Sequence, residues 1–393
     1  MVVAVDTFYL SPCYRHTGTG VYLSNLLSEC LRISECSGLK IEFRGFSPRG
    51  ERWNSDGLAS RLFSVRESWA AAHRRLWLLG GMALATSRER PDLVFLPTAH
   101  ASIPNPFAPV VTTFFDVMHA RLPAWMLDTG RSAPWLARIN ARQAQTIITI
   151  SSWSKRDLVD VLNVDPDVVE VTYLGYDKHA YNSFSPNPDG DKILFERLGI
   201  HKPYVLHHGM VQIRKNLIRL IQAWEHLTES PGALETQLVL AGPPGLGFER
   251  IQEKVAVSPY RKRIILTGAL DDADMAAVVK NAFLCVIPSL YEGFCLPLVE
   301  AMACGVPTVA SNSSCIPEVS GGVLEYFDPV SVDEMAEVIR RALEDSELRE
   351  RLRWEGLARA AEFTWERCAR QTLEILARAT TDHGRNRTRR SRS

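Results

Sequence analysis

The sequence lacks the features that mark membrane-spanning, secreted and zinc-binding proteins. Its most apolar region, residues 282–310, is interrupted by two glutamates and three prolines, whereas a bilayer-spanning helix needs ~20 mostly apolar residues. The first ten residues lack a basic segment and include Asp6, so we expect no signal peptide. The eight cysteines form no CxxC pair and no Cys/His spacing typical of zinc, which favours reduced thiols in a cytoplasmic protein.

The chain also lacks net charge, but its charges are unevenly distributed. Lysine and arginine together number 45, as do aspartate and glutamate. Residues 383–393 hold five arginines and no acid, so the body has 40 basic against 45 acidic residues and a charge of −5. An acidic body argues against a nucleic-acid-binding protein. We expect the basic tail, 383–393, to be disordered.

Length and composition favour a globular protein of more than one domain. The chain has 393 residues, of which 46% are hydrophobic and 23% charged. Short β-branched runs alternate with helical patterns, which is typical of parallel strands buried on both faces. The predicted strands are 2–6, 41–46, 93–96, 110–115, 146–150, 168–173, 204–208, 237–241, 264–267, 283–287 and 307–310. The predicted helices are 21–31, 67–84, 135–145, 155–161, 215–227, 272–280, 297–304, 332–343 and 347–379.

The alternation of strands and helices is interrupted at residues 181–191, YNSFSPNPDGD, whose composition is typical of a linker. We therefore predict an α/β protein with two doubly wound, Rossmann-like domains, 1–185 and 192–363, facing across a cleft. A C-terminal helix at about 364–380 could pack back on the first domain. In such domains ligands bind beyond the carboxyl ends of the strands, so the loops there are the candidate sites.

A pair of glutamates, Glu292 and Glu300, forms the strongest candidate site. Glu292 follows a predicted buried strand, and Pro297 favours a helix start, which would place Glu300 one turn into a short helix. The residues at this helix start are Gly293, Phe294, Cys295 and Leu296. Their N–H groups and the helix dipole favour a phosphate, whereas the two carboxylates would accept hydrogen bonds from sugar and ribose hydroxyls. Two solvated glutamates on an exposed helix are the alternative, which the apolar surroundings disfavour.

A second candidate site, GMVQIRKN, follows the predicted strand 204–208. Arg214 and Lys215 lie at a loop-to-helix junction, where they could neutralise a diphosphate without a metal. The alternative is a solvated helix start, but cations are disfavoured at a helix N-terminus, which favours a functional role.

Together these residues resemble the retaining GT-B glycosyltransferases of family 4, also called glycosyltransferase group 1. The glutamate pair with AMACGVPTVAS resembles the family's donor-site signature, and ISSWSKRDLVDVL, HHGMVQIRKNLIRLIQAW, LVLAGPPG, ILTG and IPEVSGG match its landmarks in order. The resemblance covers nearly the whole chain. It implies that the second domain binds a nucleotide-diphosphate sugar, with Arg214 and Lys215 on the pyrophosphate, and that the first domain binds the acceptor. Met210 and Cys295 depart from the family, which often has arginine and glycine at these positions.

Two further sites are expected in the first domain. Gly18 and Gly20 precede a predicted helix, but Leu23 breaks the G-x-G-x-x-G pattern of dinucleotide-binding folds. The resemblance instead implies a glycine loop near the donor diphosphate and the acceptor, and a plain loop is the alternative. Asp116 and His119 follow the strand 110–115. Many relatives have His-Asp where this chain has Phe115-Asp116, so His119 could supply the imidazole or bind acceptor hydroxyls.

Metal and membrane signals are weaker. Asp165 and Asp167, and likewise Asp189 and Asp191, have the Asp-x-Asp spacing of some metal-dependent enzymes but lie in Pro- or Gly-rich turns, so we interpret them as structural. The segment 69–90 could contact anionic lipid together with the arginine tail, and a solvated helix is an equal alternative. Its relevant residues are Arg74, Arg75, Trp77, Arg88 and Arg90.

The sequence therefore predicts a metal-independent, retaining hexosyltransferase that moves a sugar from a nucleotide-diphosphate sugar to an acceptor hydroxyl, with no further cofactor. The acceptor would be a saccharide or lipid-linked saccharide in bacterial-type polysaccharide, glycolipid or glycoconjugate assembly, at the inner face of the membrane or in the cytoplasm. The candidate catalytic residues are Asp116, His119 and Glu292. A nucleotide-sugar epimerase of similar fold is the alternative. A nicotinamide oxidoreductase and a non-enzymatic nucleotide-binding module are more distant ones.

Overall fold

The computed structural model describes residues 1–11, 17–38, 40–48, 64–68, 76–87, 89–101, 103, 108–122, 134–183, 188–229 and 235–390. The chain divides into two compact units. The first comprises Met1–Ala120, Gly130–Gly175 and Thr364–Ser393, and the second comprises Arg121–Thr129 and Tyr176–Phe363.

The first unit is built on a parallel sheet of seven strands in the order β3-β2-β1-β4-β5-β6-β7. The strands are β1 (Val2–Asp6), β2 (Glu42–Pro48), β3 (Ser64–Ser68), β4 (Leu93–Leu96), β5 (Val110–Phe114), β6 (Thr146–Thr149) and β7 (Val169–Val171). Every residue of β4 and β5 is buried, as expected for strands covered on both faces. Strand β3 includes residues 67 and 68, where a helix was predicted to begin. It lies at the sheet edge, and its sequence SVRES has no apolar run.

The helices of the first unit are α1 (Gly18–Ser37), α2 (Met82–Thr86), α3 (Met118–Arg121), α4 (Pro134–Gln143) and α5 (Ser152–Leu162). A π-helical turn, Trp77–Gly81, precedes α2. Trp77 is fully buried, and its Nε1 lies 3.2 Å from both carboxylate oxygens of Asp6. Trp77 is therefore a core residue, and the expectation that it contacts lipid is wrong. Arg74, Arg75 and Arg88 lie outside the described residues.

The second unit is built on a parallel sheet of six strands in the order β10-β9-β8-β11-β12-β13. These are β8 (Tyr204–His208), β9 (Gln237–Ala241), β10 (Ile264–Gly268), β11 (Leu284–Ile287), β12 (Thr308–Ser311) and β13 (Glu325–Phe327). The sequence pattern predicts the first five within one residue at each end but not β13, a three-residue edge strand with two partly exposed residues.

The helices of the second unit are α6 (Pro188–Leu198), α7 (Leu217–Glu229), α8 (Phe248–Val257), α9 (Asp272–Lys280), α10 (Leu296–Ala303), α11 (Ile316–Ser320), α12 (Val332–Glu344) and α13 (Ser346–Ala360). Helix α6 begins inside the segment predicted to be a linker. Its first residue is Pro188, and proline is tolerated at a helix start because its missing N–H is not needed there.

The last helix, α14 (Trp365–Arg390), belongs to the first unit and packs on α1. Trp365 lies 6.3 Å from the ring of Tyr22, and a Cβ on Gly175 would come within 2.1 Å of the Trp365 amide. The helix continues to Arg390, which corrects the expectation of a disordered tail up to that residue. Arginine is a good helix former, so the packed part of α14 can extend through this segment.

The strand orders place a topological switch point in each sheet, because chain connections run in opposite directions from a central pair of strands. The pair is β1 and β4 in the first unit, and β8 and β11 in the second. Ligands of open α/β sheets bind at the carboxyl ends of such pairs. No helix among the described residues has the length and apolarity needed to cross a bilayer.

Candidate functional site

The loops after β8 and β11 approach each other at the switch point of the second sheet. Gly209, directly after β8, has φ +105°, and a Cβ there would lie 3.3 Å from Cγ of Pro297 in α10. A Cβ on Gly242, directly after β9, would come within 2.0 Å of the Gly209 carbonyl oxygen. Both positions therefore require glycine, since only a residue without a side chain allows the backbones this close.

The loop after β8 ends in a tight turn that carries the two candidate cations. Residues Ile213–Lys215 form a 3₁₀ turn, and Asn216 follows in the left-handed conformation. The Asn216 side-chain amide donates to the carbonyls of Pro288, at 3.1 Å, and Pro329, at 2.7 Å. Helix α7 begins only at Leu217, so Lys215 does not head a helix as predicted.

Glu292 supplies the negative charge that compensates both cations. Its Oε1 lies 2.7 Å from Nζ of Lys215, and its Oε2 lies 3.0 Å from Nη1 of Arg214. Arg214 Nη1 also donates to the carbonyl of Tyr291. The side chains of Lys215 and Glu292 are each 7% exposed and that of Arg214 is 15% exposed, so the cluster is almost withdrawn from water.

This environment sets the protonation of the Glu292 carboxyl. Burial alone would raise its pKa, but the charges of Arg214 and Lys215 outweigh burial and lower the pKa to about 2. Glu292 is therefore ionised at neutral pH, and its carboxylate binds cations rather than projecting as an unoccupied acceptor of hydroxyls.

Helix α10 begins beside this cluster, as the sequence analysis predicted. Its N-cap residue, Cys295, has φ 69° and ψ 63°, a left-handed conformation that side-chain-bearing residues rarely adopt. The amide of Glu292 donates to Oγ of Ser314 at 2.9 Å, which anchors the loop before the helix. Burial raises the pKa of the Cys295 thiol to about 12, so it is protonated. Gly293, Phe294 and Leu296 complete this loop and the first helical turn.

Glu300 lies in α10 and is separate from the cation cluster. Its Oε2 lies 3.2 Å from Nε2 of His208, the last residue of β8. The Glu300 side chain is 18% exposed and that of His208 only 2%. Sequence reasoning did not identify His208, although a histidine at the end of a buried strand, directly before Gly209, is a signal for a residue at the switch point.

In the first unit, Gly18 and Gly20 form the start of α1 rather than a loop. The Thr17 side chain caps this helix by accepting from the Gly20 amide at 3.3 Å. Asp116, two residues after β5, accepts from the Met118 amide at 3.1 Å through Oδ1.

His119 lies in the short helix α3, near Asp116 and His100. The ring centroids of His119 and His100 are 6.3 Å apart. Burial lowers the pKa of His119, and the charge of Arg138 lowers it further, while Asp116 opposes the shift. Asp116 and His119 are thus close enough for their charges to interact.

The comparisons with known proteins agree with this architecture. Residues 192–358 match the model of "Glycosyl transferases group 1", and residues 46–179 match that of "Glycosyltransferase Family 4". O-antigen chain mannosyltransferase B of Escherichia coli is 30% identical over 380 residues, with 92% of this chain and 96% of that protein covered. The chain belongs to the group 1 glycosyltransferases.

Solved structures show the fold of this group 1 glycosyltransferase. Sucrose-phosphate synthase from Thermosynechococcus elongatus matches with a TM-score of 0.75 at 17% identity, covering 97% of this chain and 100% of that one. HepE of Anabaena in complex with UDP-glucose matches with a TM-score of 0.71 at 18% identity, covering 96% and 99%. The predicted family, the predicted GT-B fold and the predicted enzyme class are confirmed.

Asp165 and Asp191 of the glycosyltransferase, one from each aspartate pair, have structural contacts, whereas the side chain of Asp189 lies outside the described residues. Asp165 accepts from the Asp167 amide at 2.9 Å and caps the 3₁₀ turn Pro166–Val168. Asp191 is buried and accepts from the Asn281 side chain at 2.7 Å. Within the described ranges, no group of three or more histidine, cysteine, aspartate or glutamate side chains is arranged to hold a metal ion.

Proposed function

We propose that this glycosyltransferase transfers a hexosyl residue, with retention of anomeric configuration, from a nucleotide-diphosphate sugar to a hydroxyl of a saccharide or lipid-linked saccharide. The observation that carries the proposal is the buried cluster of Arg214, Lys215 and Glu292 at the switch point of the second sheet. A relative that is 30% identical over almost its whole length is named an O-antigen chain mannosyltransferase, which supports a role in polysaccharide assembly.

Arg214 and Lys215 would bind the donor diphosphate together with the start of α10. A guanidinium and an ammonium held in one place supply the charge that a metal supplies in other transferases. Glu292 holds both cations in position before the donor binds, and the two phosphates then share them. The Anabaena relative of similar fold was solved with UDP-glucose, which supports a nucleotide sugar as donor.

Glu300 would accept hydrogen bonds from the ribose hydroxyls of the donor nucleotide. Its carboxylate lies in α10 after the anion-binding turn and retains partial exposure, unlike that of Glu292. An ionised carboxylate only accepts hydrogen bonds, which suits hydroxyl donors.

The first unit would bind the acceptor through Asp116 and His119. A half-buried imidazole with a lowered pKa is neutral at pH 7, so His119 can accept a hydrogen bond from an acceptor hydroxyl.

We propose front-face attack, since no carboxylate is placed as a nucleophile among these candidates. The bond between the anomeric carbon and the phosphate oxygen breaks with its electron pair on the phosphate. The acceptor oxygen forms the new bond on the same face, and its proton passes to the departing phosphate. The main contribution of the protein is to stabilise the charge on this leaving group through Arg214 and Lys215.

A peripheral contact with anionic lipid is part of the proposal. Leu76, Leu79 and Leu84 are 51%, 57% and 57% exposed, in the uncharged segment LWLLGGMALAT. Arginines precede and follow this segment in the sequence, and apolar insertion flanked by cations is typical of membrane-surface helices. Flotation with phosphatidylglycerol vesicles tests this, and the double variant Leu79→Glu, Leu84→Glu should remain with the unbound protein.

The enzymatic proposal is tested with a panel of nucleotide sugars that includes UDP-glucose and GDP-mannose. We expect slow hydrolysis of one donor, transfer to a saccharide acceptor, and an anomeric product of the same configuration by NMR. Inverted configuration would contradict the retaining mechanism. Interconversion of the nucleotide sugar without transfer would identify an epimerase instead.

A further inference from the structure

His208 is a buried imidazole whose two ring nitrogens both face polar atoms. It is the last residue of β8, and its side chain is 2% exposed. Its Nε2 lies 3.2 Å from Oε2 of Glu300, and its Nδ1 lies 3.9 Å from Sγ of Cys285 in β11. The imidazole therefore joins the two strands of the switch point to α10.

The partners determine which nitrogen carries the proton. A carboxylate can only accept, so Nε2 of His208 is the donor to Glu300. In a neutral imidazole Nδ1 is then an acceptor, and a thiol can donate to it. Burial raises the pKa of Cys285, so its sulfur carries the required hydrogen. Cys285 therefore donates a hydrogen bond to His208, and His208 donates one to Glu300.

These two hydrogen bonds fix the orientation of the Glu300 carboxylate. A glutamate side chain has a broadly populated last torsion, so a carboxylate without partners samples many orientations. With Oε2 held by a buried donor, Oε1 is the oxygen that can accept from a ligand hydroxyl. Ordering this torsion before the ligand arrives lowers the entropy lost on binding.

We propose that His208 is a positioning residue that holds Glu300 in the orientation that binds the ribose hydroxyls of the donor nucleotide, with the Cys285 thiol selecting the tautomer. The inference rests on the proposed function, because it assumes that Glu300 binds ribose. It adds a residue that acts through Glu300 and does not itself touch the ligand.

The experiment compares two amides of different reach. The terminal nitrogen of glutamine takes the place of Nε2 and can still donate to Glu300, whereas that of asparagine takes the place of Nδ1 and is too short. Calorimetry measures the Kd of UDP and GDP, and of their 2′,3′-dideoxy counterparts, for the wild type, His208→Gln, His208→Asn and His208→Leu. The ratio of the dideoxy Kd to the ribose Kd isolates the hydroxyl contacts from general damage to the fold.

We expect the ratio to fall about tenfold, or 1.4 kcal/mol, in His208→Asn and His208→Leu, and to stay near the wild-type value in His208→Gln. Affinity for the dideoxy nucleotides should be almost unchanged in all three. A ratio that is unchanged in His208→Asn and His208→Leu, or equally reduced in His208→Gln, would overturn the inference. If either His208→Asn or His208→Leu does not fold, the other variant still allows the comparison with the wild type.

Glu300→Gln separates failure of the inference from failure of the proposed function. If the wild type prefers ribose and Glu300→Gln loses that preference while His208→Asn keeps it, only the role of His208 is wrong. If the wild type binds neither nucleotide, or binds ribose and dideoxyribose forms equally, the role of Glu300 is wrong and the inference falls with it.

Discussion

Replacing Glu292 with glutamine should show how the charges of the proposed donor site act on stability and on anion binding. The substitution keeps the size of the side chain but removes the negative charge that lies 2.7 Å from Lys215 and 3.0 Å from Arg214. Lys215 and Arg214 then lose the carboxylate that both of them contact. We expect the variant to be less stable without ligand and to bind inorganic pyrophosphate more tightly than the wild type.

The magnitude of the stability loss follows from the pKa of Glu292. The pKa falls from an ordinary 4.5 to about 2 in the folded protein, which corresponds to about 3 kcal/mol at neutral pH. Since the folded pKa is the lower one, this stabilisation is present above pH 4.5 and is lost as the pH falls towards 2. The melting temperatures of wild type and Glu292→Gln should differ by roughly 6–12 °C at pH 7. The difference should shrink below pH 4.5.

Pyrophosphate affinity provides the second measurement. In the wild type the anion must compete with Glu292 for the cations, whereas in Glu292→Gln the charge of this competitor is gone, so we expect about tenfold tighter binding. Turnover of the donor should fall, because the cations are no longer held in place before binding. Glu225→Gln is the matched control. It breaks the 2.6 Å ion pair with Lys254 between α7 and α8 and should lower stability without changing pyrophosphate affinity. Weaker pyrophosphate binding in Glu292→Gln, or a pH-independent melting difference, would refute the reasoning.

Three further predictions concern the same site. Lys215→Ala should lower donor kcat/KM by roughly a hundredfold or more, by analogy with a lost oxyanion donor. It should also lower the melting temperature, because Glu292 loses its 2.7 Å partner; unchanged turnover would make Lys215 purely structural. Activity should survive excess EDTA, and a requirement restored by Mn²⁺ or Mg²⁺ would contradict metal independence. Cys295→Val should cost ~1–2 kcal/mol more stability than Cys295→Gly, because a β-branched residue is strained at φ 69°; equal melting temperatures would contradict this.

The sequence predicted the elements whose signal is local. Strands β1, β4, β8 and β9 have the predicted bounds, and each contains three or four consecutive apolar residues. The missed strands β3 and β13 lie at sheet edges, and their sequences, SVRES and EYF, contain no apolar run of the length that predicts a strand.

The candidate site was predictable in its residues but not in its contacts. Arg214, Lys215 and Glu292 lie in the segments that follow β8 and β11, and Glu300 lies in the next helix, α10, at the edge of the sheet where topology gathers functional side chains. Their pairing is not readable from the sequence, because Glu292 and Lys215 are 77 positions apart and meet only when β8 and β11 become neighbours. His208 was not predicted because it ends a buried strand, and its partner Glu300 lies 92 positions away in α10.

The energetics of the Glu292 cluster explain why its place at the switch point is more informative than its contribution to the stability of the fold. Withdrawing three charged groups from water costs several kcal/mol per ion, and a buried ion pair is often no more stabilising than apolar residues of the same volume. A cluster used only for stability could therefore be replaced without loss. This cluster instead lies where a parallel sheet binds ligands, and it keeps two cations fixed and desolvated. In the proposed mechanism, charges prepared in this way need no rearrangement when the leaving phosphate develops its own, and that is the condition under which electrostatic stabilisation contributes most to a rate.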